Sequence, residues 1–103
     1  MIKNFLFSVL ISSSLLIAEV IIDVRTPEEF QSARLNKAIN IEWQNILSIQ
    51  NNINKTEKIY LYCRSGNRSQ RATEILVNAG FVNVENLGSL QQASDTLNLK
   101  IIF

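Results

Sequence analysis

Short apolar runs alternate with helix-forming stretches along most of the chain. The runs predict buried strands at residues 19–24, 38–41, 59–62 and 82–87. Apolar spacing and capping residues predict helices at residues 27–34, 43–52, 69–79 and 89–96. Strands that alternate with helices are typical of a parallel sheet with helices on both faces. We therefore predict one small α/β domain over residues 19–103, with a polar loop near residues 51–57.

Two helix boundaries are marked by their residues. Thr26 suits an N-cap, Pro27 suits the first helical position, and Glu29 stands where a capping box places its carboxylate. Gly80 suits the position just after a helix, with Phe81 packing back on the last turn. These signals predict where the first helix begins and where the third ends.

The N-terminal segment has a different character from the rest of the chain. Residues 5–17 are almost entirely apolar or serine, Lys3 precedes them, and the small residue Ala18 follows. This pattern is typical of a secretory signal peptide at residues 1–18, so we expect a periplasmic or otherwise exported protein cleaved after Ala18. The alternatives are a buried first helix and an uncleaved N-terminal membrane anchor; if the peptide is cleaved, we expect no stable membrane partner.

Composition excludes several kinds of chemistry. The chain has no histidine and one cysteine, Cys63, so it has neither Cys–His catalysis nor a histidine-ligated metal, and a zinc site is not expected. The formal net charge is +1, which gives no indication of a nucleic-acid partner. A lone cysteine in an exported protein is a buried core residue, a link between chains or a reactive thiol.

The surroundings of Cys63 favour the reactive thiol. Cys63 follows a predicted strand and precedes a predicted helix, whose N-terminal amides and partial positive charge stabilise an anion. Gly66 permits the positive φ of a loop that curls around the sulfur. Arg64, Arg68 and Arg71 are expected to lower the thiol pKa and to attract an anionic substrate. The alternatives are an inert core cysteine and a solvated helix start.

The loop after the third predicted strand reads Cys63-Arg64-Ser65-Gly66-Asn67-Arg68-Ser69. It resembles the active-site loop of the rhodanese-like sulfurtransferase family. The similarity extends to residues 22–30, 38–41, 79–81 and 84–88, in the family's order. The short length and the early Asp-Val-Arg strand are most similar to the small periplasmic members. Two segments depart from the family pattern, at residues 33–37 and at Gly88-Ser89.

The resemblance implies a mechanism without cofactor or metal. The Cys63 thiolate would attack the outer sulfur of thiosulfate or a similar donor, and the resulting persulfide would be held by amides of residues 64–69. A thiol or cyanide would then accept the sulfur. Asp23 and Arg25 are expected to form structural ion pairs near the loop, and Arg71 to support it. Two alternatives remain open: a cysteine phosphatase or arsenate reductase on the same fold, and a non-catalytic sulfur carrier or binding module.

Overall fold

The computed structural model describes residues 19–103, and the predicted signal peptide lies outside the described residues. The elements follow in the order β1 (Glu19–Asp23), α1 (Pro27–Ser32), β2 (Arg34–Leu35), β3 (Ile39–Asn40), a 3₁₀ helix (Trp43–Asn51), β4 (Lys58–Cys63), α2 (Asn67–Asn78), β5 (Val84–Ser89), α3 (Leu90–Leu97) and β6 (Ile101–Ile102). Within residues 19–103, no helix is long and apolar enough to cross a membrane.

Four of the strands form a parallel sheet in the order β3-β1-β4-β5. In the centre, Ile22 of β1 lies between Ile39 of β3 and Leu61 of β4. The carboxyl ends of β1 and β4 meet at one edge, where Asp23 is the register partner of Tyr62. Cys63 is the next residue, so the sheet places it where ligands of open parallel sheets bind.

Each face of the sheet carries its own apolar core. On one face, Ile22 and Leu61 pack with Ile46 of the 3₁₀ helix and Leu76 of α2. The other face is formed by residues of the strands and of α3: Ile21, Leu35, Tyr62, Leu87 and Ala93. Helices therefore cover both faces, which confirms the predicted α/β architecture.

The structure corrects several predicted boundaries. The helix after Cys63 begins at Asn67, two residues early, because Gly66 takes a φ of +98° and acts as its N-cap. The segment after β3 is a 3₁₀ helix rather than an α-helix. The pairing of β2 with β6 was not predicted, since two-residue strands carry no periodicity. The capping box of α1 is confirmed, because Thr26 and Glu29 exchange both hydrogen bonds.

Candidate active site

Cys63 lies at the bottom of a loop between the end of β4 and the start of α2. Its side chain is buried, while Arg64, Ser65 and Asn67 above it are exposed. A nucleophile at this position is held rigidly by the central strand, and the loop around it faces solvent. This is the arrangement that the sequence predicted for the loop.

Two hydrogen bonds end on the sulfur. The Gly66 amide donates to Cys63 Sγ at 3.0 Å, and the Ser69 hydroxyl lies 3.4 Å from it. Burial alone would raise the pKa of the Cys63 thiol, but the Ser69 hydroxyl and the amides of Ser69, Ser65 and Gly66 outweigh burial, so the pKa lies below its ordinary value. The site thus favours the thiolate without a histidine base.

The loop arginines have partners of their own. Arg68 forms an ion pair with Glu29, with Nη1 2.7 Å from Oε1 and a second contact of 3.1 Å, and its pKa is raised mainly by Glu29 and also by the charge of Cys63. Arg71 lies over the Trp43 ring, 5.3 Å from its centroid. The main causes that lower the pKa of Cys63 are hydrogen bonds from Ser69, Ser65 and Gly66, and the contribution predicted for the arginines stays a prediction. Arg64, the residue after Cys63, is exposed.

Asp23 and Arg25 form the expected ion pair at the end of β1. The Arg25 guanidinium lies 2.6 Å from Asp23 Oδ2, and both residues are buried. Arg25 also donates to the Ala33 carbonyl at 2.6 Å, which fixes the end of α1. The Asp23 carboxylate is paired with the Arg25 guanidinium and the Arg25 amide, and Arg25 lies over the ring of Tyr62 in β4, 5.7 Å from its centroid.

Asn86 is a residue of the site that sequence reasoning missed. Its Oδ1 accepts from the Ser69 hydroxyl at 2.6 Å and from the Gly88 amide at 3.0 Å. Its Nδ2 donates to the Gly66 carbonyl and to Gln70 Oε1, both at 3.1 Å. Asn86 thereby ties the loop to β5. Its segment carried the family resemblance, but an asparagine in a strand gives no sign of its partners.

No site for a metal is formed by the described side chains. Among residues 19–103, no three histidine, cysteine, aspartate or glutamate side chains cluster in a way that could hold an ion. The groups that contact Cys63 Sγ are the Gly66 amide and the Ser69 hydroxyl, which suit an anion.

Comparison with known proteins places the chain in a family. A family model, the rhodanese-like domain, matches residues 11–94. Thiosulfate sulfurtransferase PspE of Escherichia coli is 38% identical over 76 residues, which cover 72% of this chain and 73% of that protein. The chain belongs to the rhodanese-like family.

Two further relatives define the extent of the likeness. The solved structure of a rhodanese with anions from E. coli is 32% identical and has a TM-score of 0.72, with 82% of this chain and 98% of that chain covered. The adenylyltransferase and sulfurtransferase UBA4 of Candida albicans is 35% identical over 91 residues, which are 80% of this chain. The matched residues are 21% of the length of UBA4, so the chain spans about a fifth of that protein. Together these relatives support sulfurtransferase activity in general.

Proposed function

We propose that this protein is a sulfurtransferase that moves sulfane sulfur from thiosulfate, or a similar small anionic donor, to a thiol or to cyanide. Cys63 is the nucleophile and carries the sulfur as a persulfide between the two steps. The observation that carries the proposal is the pair of hydrogen bonds from Gly66 and Ser69 to Cys63 Sγ, at 3.0 and 3.4 Å. The relatives named as thiosulfate sulfurtransferases support the choice of donor.

The reaction consists of two displacements at sulfur. In the first, the Cys63 thiolate attacks the outer sulfur of thiosulfate, the S–S bond of the donor breaks, and its electron pair leaves with sulfite. The enzyme now carries a persulfide anion, and the total charge is unchanged. In the second, a thiolate or cyanide attacks the terminal sulfur, and the electron pair of the persulfide bond returns to Cys63. No proton donor, metal or cofactor is required for either displacement.

The loop suits both displacements. The Cys63 thiolate is the attacking species in the first step and the leaving group in the second. A lowered pKa of Cys63 therefore favours both steps of the cycle. The amides at the start of α2 stabilise negative charge next to the sulfur. Arg64, which follows Cys63 in the loop, is exposed and can attract the anionic donor.

The test is intact-mass analysis of the purified protein after exposure to thiosulfate. We expect one added sulfur atom, lost on treatment with cyanide with release of one equivalent of thiocyanate. Cys63→Ser is the control and should gain nothing. A persulfide that forms but does not turn over would assign the protein to the sulfur carriers, and absence of the added sulfur would overturn the proposal.

We also propose that the protein is exported, with residues 1–18 removed as a signal peptide. Lys3, the apolar segment at residues 5–17 and Ala18 support this proposal. An uncleaved N-terminal anchor on the outer side of the membrane is the alternative. In either case the catalytic domain would meet donors and acceptors outside the cytoplasm.

A further inference from the structure

The Ser69 hydroxyl has one proton and three neighbours that can accept it. Its Oγ lies 2.6 Å from Asn86 Oδ1, 3.1 Å from the Gly66 carbonyl oxygen and 3.4 Å from Cys63 Sγ. A hydroxyl donates one hydrogen bond at a time, so these groups compete for it. The competition decides whether Ser69 donates to the sulfur or only offers it a lone pair.

The amide of Asn86 has a fixed orientation. One of its ends faces the Gly88 N–H, which can only donate, and the other faces the Gly66 carbonyl, which can only accept. Reversing the amide would break both contacts, because it would set donor against donor and acceptor against acceptor. Asn86 therefore presents an oxygen to Ser69, and the bond of 2.6 Å is the shortest that Ser69 makes.

This geometry allows the Ser69 hydroxyl to donate its hydrogen bond either to Asn86 Oδ1 or to Cys63 Sγ. While Cys63 is a thiol, Ser69 can donate to Asn86 Oδ1 and accept from the S–H group. When Cys63 is a thiolate, the sulfur becomes an acceptor and competes for the same proton. A hydrogen bond to a charged acceptor is about twice as strong as one between neutral groups, so the hydroxyl then turns to the sulfur.

We propose that Asn86 is a positioning residue that sets the direction of the Ser69 hydroxyl, holding its proton while Cys63 is protonated and yielding it when the sulfur becomes an anion. Asn86 does not touch the sulfur in the described contacts and acts through Ser69. The inference rests on the proposed role of Cys63 as the nucleophile. The inference adds Asn86 of β5 as a residue that adjusts how readily the Cys63 thiol ionises to the thiolate.

Two substitutions of Asn86 should move the thiol in opposite directions. Asn86→Ala removes the nearest competing acceptor and leaves only the Gly66 carbonyl, at 3.1 Å, to compete with the sulfur for the Ser69 proton. The midpoint of Cys63 ionisation should therefore fall by about half to one pH unit. Asn86→Asp offers a stronger, charged acceptor and should raise the midpoint. Both variants lose the bond to the Gly66 carbonyl, so a merely structural role would shift both in the same direction.

The measurement is the pH dependence of the rate of Cys63 alkylation by iodoacetamide. It needs no sulfur donor, so it can support or refute this inference even if the protein fails to transfer sulfur. Gln70→Ala is the matched control, because it removes the other side-chain contact of Asn86 without touching Ser69, and its midpoint should equal that of the unmodified protein.

The same substitutions in a Ser69→Ala background complete the test. There the shift of Asn86→Ala should vanish, and that of Asn86→Asp should shrink to the direct effect of its charge. Circular dichroism checks that each variant is folded. If Asn86→Ala does not fold, the comparison of Asn86→Asp with the double variant Asn86→Asp/Ser69→Ala still tests the inference. Shifts of one sign in both Asn86 variants, or equal shifts with and without Ser69, would overturn the inference.

Discussion

At the scale of single residues, the proposed function depends on Cys63 as the nucleophile. We predict that Cys63→Ser abolishes sulfur transfer while the fold is retained, because a serine hydroxyl is a poor nucleophile at neutral pH and only one atom changes. The stability change should stay within about 1–2 kcal/mol. Thiocyanate formation and thermal unfolding of the variant measure the two effects. A variant that kept substantial activity would remove Cys63 from its assigned role.

The two loop arginines should differ in their effects on kinetics. Arg68 is paired with Glu29, whereas Arg64 is exposed in the loop. We predict that Arg64→Ala raises KM for thiosulfate and costs about 1–3 kcal/mol in kcat/KM, as expected for a charge-assisted contact. Arg68→Ala should mainly reduce stability.

Steady-state kinetics with thiosulfate as the varied substrate separates the two arginines. Arg64→Lys is the matched control, since it keeps the charge and should recover part of the loss. A larger effect on the donor from Arg68→Ala than from Arg64→Ala would contradict the prediction.

Much of the loop could be predicted from the sequence, but its partners could not. The strand end at Cys63 and the positive φ of Gly66 follow from local patterns, and the structure shows both. The contacts of Arg68 with Glu29 and of Ser69 with Asn86 join residues 39 and 17 positions apart. Spacing along the chain contains no information on such pairs.

At the scale of elements, Glu29 links α1 to α2. It closes the capping box with Thr26 and pairs with Arg68 at the start of α2. The hydrogen bond from Arg68 is the main cause that lowers the pKa of Glu29 to about 2 from an ordinary 4.5. The unfolded chain therefore takes up this proton at a higher pH than the folded protein, so Glu29 stabilises the fold above about pH 4.5 and loses that effect as the pH falls to about 2.

We predict that Glu29→Gln lowers the free energy of unfolding by about 1 kcal/mol at neutral pH, a figure reduced for the partial exposure of the pair. The deficit relative to the unmodified protein should shrink between about pH 4.5 and pH 2. Urea unfolding at several pH values measures it. Glu28→Gln is the matched control, because Glu28 is exposed on the same helix and should show no such deficit. A deficit that is independent of pH would refute the assigned ionisation.

The elements themselves were predictable where the pattern is long. The strands β1 and β4 were predicted from apolar runs, and the structure shows them as central strands of five and six residues. In contrast, β2 and β6 have two residues each, and they pair although they are far apart in the sequence. Strands of two residues are too short to show the alternating pattern that predicts a strand. The 3₁₀ helix has a helical apolar pattern, with Ile46 and Ile49 buried three positions apart. That spacing suits an α-helix as well, so the sequence could not distinguish the two.

At the scale of the whole molecule, the proposed export can be tested directly. Glu19 begins β1 and is the register partner of Lys58, so cleavage after Ala18 would leave that pairing complete. We predict that protein recovered from the periplasm begins at Glu19, as determined by N-terminal sequencing. Replacing Ala18 by a bulky residue should slow cleavage, because signal peptidases require small residues at the junction. Full-length protein confined to the cytoplasm would contradict export.

The size of the loop at residues 63–69, which surrounds the sulfur of Cys63, distinguishes a site for sulfur transfer from one for phosphoryl transfer. The wider resemblance implies a Cys-x5-Arg loop for cysteine phosphatases and arsenate reductases, which places an arginine six residues after the cysteine, where this chain has Ser69. Ser69 is buried and bound to Asn86, and the neighbouring Arg68 is held by Glu29. A phosphoryl group needs several donors around its equatorial oxygens, whereas a persulfide adds one atom.

We therefore predict thiosulfate:cyanide sulfurtransferase activity and negligible hydrolysis of an aryl phosphate by the same purified protein. Inserting one glycine after Gly66 lengthens the loop by a residue and moves Arg68 to the position that an oxyanion site requires. It should reduce sulfur transfer, because the Gly66 amide and Ser69 hydroxyl then no longer converge on Cys63 Sγ. An insertion of one glycine in the exposed stretch at residues 54–56 is the control and should leave both activities unchanged. Rapid aryl phosphate hydrolysis by the unmodified protein, without a persulfide in the mass spectrum, would favour the phosphatase alternative instead.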